Sequence, residues 1–147
     1  MLKGIDPRVP PALLDCLMRM GHGDEIVIAD ANFPSESIAA STLWGEAIQM
    51  TGFDATVVAT LISGLMPLDA FSEAAAYRME IDGAPTELGK VHQDVFAVLD
   101  AAKPEKAVLM SLERQDFYVR ASEAFAVVRS TEAQPFGCFI LCKGVIF

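Results

Sequence analysis

Short β-branched runs alternate along this chain with stretches of helical period, and that alternation restricts its folds more than any other feature. Glu25-Ile26-Val27-Ile28-Ala29 is a near-continuous apolar run, the mark of a buried strand. Ahead of it, Leu13, Leu14, Leu17 and Met18 share a helical face, with Pro10 and Pro11 at the start and Gly21 and Gly23 past the end. A second helix is expected over 54–66, opened by an Asp54 cap and stopped by Pro67. A strand over 77–81 turns at Asp82-Gly83. Residues 86–102 carry a 3.6-period stripe (Leu88, Val91, Val95, Val98, Leu99, Ala102) behind a Thr86 cap. There follow an apolar run over 106–112, a short helix over 113–124, and strands over 125–129 and 139–143. Strands separated by helices of about 10–15 residues need crossover connections, and crossovers build parallel sheets. The expected class is therefore α/β: one domain spanning 1–147, with a largely parallel sheet flanked by helices. In such sheets ligands gather at the carboxyl ends of the strands, which directs attention to the residues just after each run.

Composition sharpens this. With 147 residues, 52% hydrophobic and 21% charged, the chain is globular and long enough to bury roughly 70% of its unfolded surface. No repeat, low-complexity tract or Pro/Gly/Ser-rich linker divides it. The mean hydropathy of +0.36 is high for a monomer, so subunit contacts are expected to take the apolar surplus. A net charge of −9 repels phosphate backbones and anionic headgroups, which argues against nucleic-acid and membrane partners. The longest apolar stretch, 55–68, is broken by Thr60, Ser63, Gly64 and Pro67 and falls short of the ~20 residues a bilayer requires. The first residues lack the apolar segment of a secretory signal, and three cysteines (Cys16, Cys138, Cys142) are too few for a disulfide framework. A reducing, cytoplasmic setting is expected, with the cysteines as small core residues.

The densest polar cluster is Gly21-His22-Gly23-Asp24-Glu25, then the strand, then Asp30-Ala31-Asn32-Phe33-Pro34. Flanking glycines free the backbone to present an imidazole beside a helix end, and imidazole is the side chain suited to moving protons both ways near neutral pH. The plainer role for His22 is to end a helix by bonding a carbonyl. A dinucleotide fingerprint fails here, because Ile26 stands where the third glycine belongs and the glycines precede the strand. His22, Asp24 and Asp30 are a conceivable metal set, but no His-x-x-x-His or Cys-x-x-Cys pair supports them, and no Cys-His nucleophile motif is present. Asp30 either accepts hydrogen bonds from ligand hydroxyls or caps its own turn. Arg114 either grips a ligand oxygen or is a solvated cation. Tyr118 and Arg120 are assigned to packing, and His92, beside Gln93 and Asp94, to the surface. Trp44 either stacks on a sugar or lies in a subunit contact.

With these residues in view, the sequence resembles the ribose pyranase/fucose mutarotase family, on its fucose mutarotase branch. The resemblance is most specific over 20–26 (Met-Gly-His-Gly-Asp-Glu-Ile) and 29–34 (Ala-Asp-Ala-Asn-Phe-Pro). It continues through Glu113-Arg114, Phe117-Tyr118-x-Arg120-Ala121 and 124–128, and ends at Gly137 with Ile140-Leu141-x-Lys143-Gly144-Val145. The resemblance implies that His22 is the catalytic proton donor and that Asp30 and Arg114 contact substrate. It places a third contact segment at Phe136-Gly137-Cys138, where the family usually has Tyr-Gly-Asn or Tyr-Ala-Asn; the phenol and the amide are both missing here. The implied chemistry is exchange of sugar anomers by acid/base ring opening, with no cofactor and no metal. It also implies a symmetric homo-oligomer, often a decameric ring, whose pockets a neighbouring subunit completes. A ribose-type pyranase and a non-catalytic monosaccharide-binding protein remain as alternatives at this point.

Overall fold

In the computed structural model, which describes residues 2–147, Pro11 sits in the first turn of α1 (Pro11–Arg19), where a missing N–H costs nothing. The chain continues through β1 (Glu25–Ala29), α2 (Ser35–Ala39), β2 (Ala47–Gln49), α3 (Ala55–Ser63), β3 (Ala76–Met79), α4 (Lys90–Ala102), β4 (Leu109–Leu112), α5 (Arg114–Ser122), β5 (Ala126–Arg129) and β6 (Phe139–Cys142). Asp54 caps α3 as expected, its carboxylate accepting from the Val57 N–H at 2.8 Å, a bond of the kind that stabilises a helix by ~1 kcal/mol.

The six strands form one sheet in the order β2-β5-β1-β6-β3-β4. The β1/β5, β2/β5 and β3/β4 pairs are parallel, whereas β6 runs antiparallel to both β1 and β3. The α/β, largely parallel expectation holds, and β6 is its one reversed member. Because successive side chains point to opposite faces, the sheet separates two cores. Ile26, Ile28, Val128, Phe139 and Leu141 pack with α1, α3 and α4; Val27, Val127, Tyr77 and Ile140 pack with Phe117 and Ala121 of α5 and Ala39 of α2.

One helix start and two short elements depart most from the sequence reading. Helix α4 begins at Lys90, not at Thr86, because Thr86 is taken up in a turn. The Glu87 N–H bonds the Ala84 carbonyl there, and the Arg78 guanidinium holds the Pro85 carbonyl at 2.7 Å. Leu88 is consequently half exposed and outside the stripe. Two short elements, α2 and β2, carry too few residues to show a period and escaped notice. No helix is long and apolar enough to cross a membrane among the described residues.

Candidate functional site

The sheet topology decides which residues meet. Strands β1, β3 and β4 end at one edge, so Asp30, Met79 and Arg114 emerge there. The reversed strand β6 starts at that same edge, which delivers 135–138 to it. Asp30, Arg114, Phe136 and Cys138 thus line one cleft of about 180 Å³, together with Asn32, Phe33, Met79, Tyr118 and Pro135. Its size suits a small ligand, and its walls combine apolar faces with a few convergent polar groups.

Asp30 is only 3% exposed and serves two ends at once. Its Oδ1 accepts from the Asn32 and Phe33 N–H groups, both at 2.9 Å, closing the turn. Its Oδ2 accepts from the Gly137 N–H at 3.1 Å. Each oxygen has two lone pairs, so this clamped carboxylate keeps acceptor capacity for a ligand hydroxyl. Both roles weighed for Asp30 from the sequence are therefore compatible. Arg114 opens α5, and Asp82 bonds its Nε through both oxygens (3.0 and 2.9 Å), which fixes the guanidinium 6.0 Å from the Tyr118 ring. Tyr118 lies tilted on Phe33 at 5.2 Å between ring centres. It packs as expected, and it also lines the cleft.

Phe136 is the only non-glycine with positive φ (61°) among the described residues, a conformation costing ~1–2 kcal/mol for an L side chain. Gly137 after it cannot be larger, since a Cβ would lie 2.8 Å from Glu132 Cγ and 2.9 Å from the Gln134 carbonyl. The Cys138 thiol is buried, and that burial, with the neighbouring Asp30 charge, pushes its pKa well up. It is held as a thiol and is no nucleophile. Cys16 and Cys142 are also free and buried.

His22 is not in this cleft. It precedes β1 while Asp30 follows it, so a five-residue strand separates them, roughly 17 Å at ~3.3 Å per residue. At its own edge His22 is half exposed, with Nε2 3.0 Å from Asp69 Oδ1 and the ring edge-on to Phe71 at 5.7 Å. Burial of Asp69 works against ionisation, but hydrogen bonds from the Ser72 side chain and N–H, from His22 and from the Phe71 N–H outweigh it and hold the carboxyl at about 2. An ionised carboxylate only accepts, so the proton of neutral His22 sits on Nε2 and the Nδ1 lone pair is left for other work. Asp69 went unnoticed in the sequence; only the fold brings it 47 positions back to His22. A larger hollow of about 490 Å³ also lies at this edge, but Asp24, Glu25, Asp116 and Glu123 dominate its wall. Its one cation, Arg120, is already held by both Glu25 oxygens and lies over Tyr77 at 4.1 Å, the packing role foreseen for it. Trp44, half-buried beside Arg19, lines neither hollow.

The surface reading of His92 is wrong. Its ring is fully buried, with Nδ1 accepting from the Gly89 N–H (3.1 Å) and Nε2 2.9 Å from the Phe136 carbonyl. Burial lowers its pKa, as does the positive charge of Arg78, against a smaller upward pull from the Phe136 bond. The amphipathic pattern misled because a histidine at the helix N-terminus faces the loop beneath it instead of water.

Comparison with known proteins now adds lineage to geometry. The RbsD/FucU transport protein family matches residues 3–146. The chain belongs to that family. It is 40% identical to the fucose mutarotase of Mus musculus over 151 aligned residues, covering 99% of this chain and 95% of that one. The crystal structure of protein Atu2016 superposes with a TM-score of 0.94 at 39% identity (100% of this chain, 97% of that one). The fucose mutarotase of Streptococcus pneumoniae, solved in complex with L-fucose, gives 0.88 at 34% identity (99% and 100%).

Proposed function

We propose that this RbsD/FucU protein is a monosaccharide mutarotase with L-fucose as its substrate, an isomerase that interconverts anomers by opening and reclosing the ring. What carries the reading is that Asp30 and Arg114 converge on one small cleft in a chain 40% identical, nearly end to end, to a fucose mutarotase. A neutral polyol has no charge of its own to grip, so charge-assisted hydrogen bonds from a carboxylate and a guanidinium are the effective way to fix it. Asp30 accepts from hydroxyls, Arg114 donates to oxygens, and Phe33, Met79 and Phe136 give the apolar wall that a methyl group or ring face would use. Phe136, Gly137 and Cys138 contact sugar through that wall and the backbone, with no phenol or amide of their own.

The reaction needs one proton removed from the anomeric hydroxyl and one given to the ring oxygen. The C1–O5 bond then breaks, the aldehyde rotates, and the hydroxyl re-adds to its other face as both protons return. His22 carries the proton at C1 through Nδ1, kept in that tautomer by Asp69. Tyr118, whose phenol lies in the cleft beside Arg114, serves the other oxygen. Each such group is worth roughly 10²–10⁴-fold. In this reading a second copy of the chain brings its His22–Asp69 pair over the first copy's cleft, which the strand length between His22 and Asp30 supports. A closed ring, decameric in the simplest reading, does this with every pocket alike. Phe71 beside His22, 58% exposed, and Met18, 78% exposed, supply apolar surface for such contacts. The cytoplasm, where monosaccharides and reduced thiols coexist, is its proposed place.

Saturation-transfer NMR on L-fucose tests the reading: the protein should speed α/β exchange at catalytic concentrations. Binding, seen as thermal stabilisation, without any exchange would replace the enzyme with a sugar-binding protein. Exchange between pyranose and furanose signals would make it a pyranase.

A further inference from the structure

The loop that closes the cleft is held from outside the cleft as well as by Asp30. Phe136 stands in the left-handed region, and the residue after it donates the Gly137 N–H that fixes Asp30 Oδ2. If Phe136 relaxed to negative φ, the peptide between 136 and 137 would turn and Asp30 would lose that bond. Something outside the loop must oppose the relaxation. The Phe136 carbonyl is bonded by one side chain, the buried imidazole of His92, 44 positions back in α4.

We propose that His92 is a positioning residue for the sugar cleft: its neutral imidazole pins the Phe136 carbonyl and so holds the left-handed turn that presents Gly137 to Asp30. The inference deepens the sugar-cleft reading above and rests on it. Both ring nitrogens are assigned by their partners. The Gly89 N–H can only donate, so Nδ1 is unprotonated; the Phe136 carbonyl can only accept, so the hydrogen is on Nε2. A residue that merely capped α4 would need Nδ1 alone, as a glutamate at this third helical position does in a capping box. The second bond is what a cap does not explain. A parallel tie, the Val91 N–H to Gln134 Oε1 at 3.1 Å, fastens the same helix end to the same loop. Packing agrees, since the His92 ring sits edge-on to Phe139, the first residue of the strand that the loop feeds.

The test compares the native protein with His92→Leu, which removes both bonds, and His92→Gln, whose amide offers one acceptor and one donor in their place. L-Fucose anomer exchange, followed over a concentration series, separates KM from kcat. Loss of one hydrogen bond's hold on the cleft should raise KM about tenfold in His92→Leu. Turnover at saturation should change by less than about twofold, because the His92 bond to the Phe136 carbonyl holds neither of the proposed proton carriers, His22 and Tyr118, and His92→Gln should recover most of the KM. A spectroscopic arm needs no turnover. Long-range proton–nitrogen correlation on labelled protein should find Nε2 protonated and Nδ1 bare. The Gly137 amide should be protected from exchange in the native protein and in His92→Gln, and unprotected in His92→Leu. A protonated Nδ1, unchanged Gly137 protection in His92→Leu, or an unaltered KM in an active protein overturns the proposal. If His92→Leu does not fold, the native tautomer and the Gly137 protection of His92→Gln decide. Native protein that exchanges no fucose anomers sinks the mutarotase reading instead, and the spectra still judge His92.

Discussion

The two edges of the sheet divide the chemistry unequally. The edge where β1, β3 and β4 end has walls, a carboxylate and a guanidinium, but its Asp30 is locked by three backbone N–H groups and its Cys138 thiol is held protonated. The opposite edge has a half-exposed imidazole with a committed carboxylate partner, next to a hollow whose wall is mostly acidic. In the proposed mechanism one edge binds the sugar and the other moves a proton. The proposed reaction then takes place where two copies meet, which gives the proposed oligomer a chemical role.

The largest effect should come from the proton-moving edge. Replacing His22 by Ala should slow anomer exchange about 10²–10⁴-fold while the dissociation constant for L-fucose stays near the native value. A matching loss of binding would place the imidazole among the sugar's grips. At the binding edge, Arg114→Gln should weaken L-fucose binding roughly 10–100-fold, the scale of a lost charged hydrogen bond, as read by titration calorimetry. Unfolding and refolding the two variants together should then raise exchange at low L-fucose above that of either variant alone, because mixed assemblies contain junctions with both edges intact. No such rise in well-mixed assemblies would mean that one chain serves itself. The smallest effect is on stability. Asp69 sits at about 2 in the fold against an ordinary 3.8, so the unfolded chain takes up its proton first as pH falls. Its contribution, about 2 kcal/mol, is complete above ~pH 5 and lost as the pH drops from about 4 towards 2. Urea midpoints across that range should fall less steeply in Asp69→Asn, and identical slopes would show that Asp69 is not the anchor of His22.

How much of this was legible beforehand follows from how local each signal is. Strand β1 and the Asp54 cap were plain because run length and capping chemistry are written in consecutive residues. The reversal of β6 left no trace, since four apolar residues look alike in either direction, yet that reversal is what brings Phe136 and Cys138 to Asp30. Asp30 and Arg114 were singled out at the ends of apolar runs, where a parallel sheet puts ligands, and they share the cleft. The Asp69 carboxylate and the inward turn of His92 depend on contacts across 47 and 44 positions, which no periodicity encodes.

The strand order has a consequence for how such a chain is made. The central strand β1 leaves the ribosome about a hundred residues ahead of both of its neighbours, β5 and β6. Until then Ile26, Val27 and Ile28 have no hydrogen-bonded neighbour on either side, an adhesive ribbon in a nascent polypeptide. Assembly of the sheet's centre thus waits until β5 and β6 have been made, and chaperone shelter during elongation matters more for this topology than for one whose centre is laid down last.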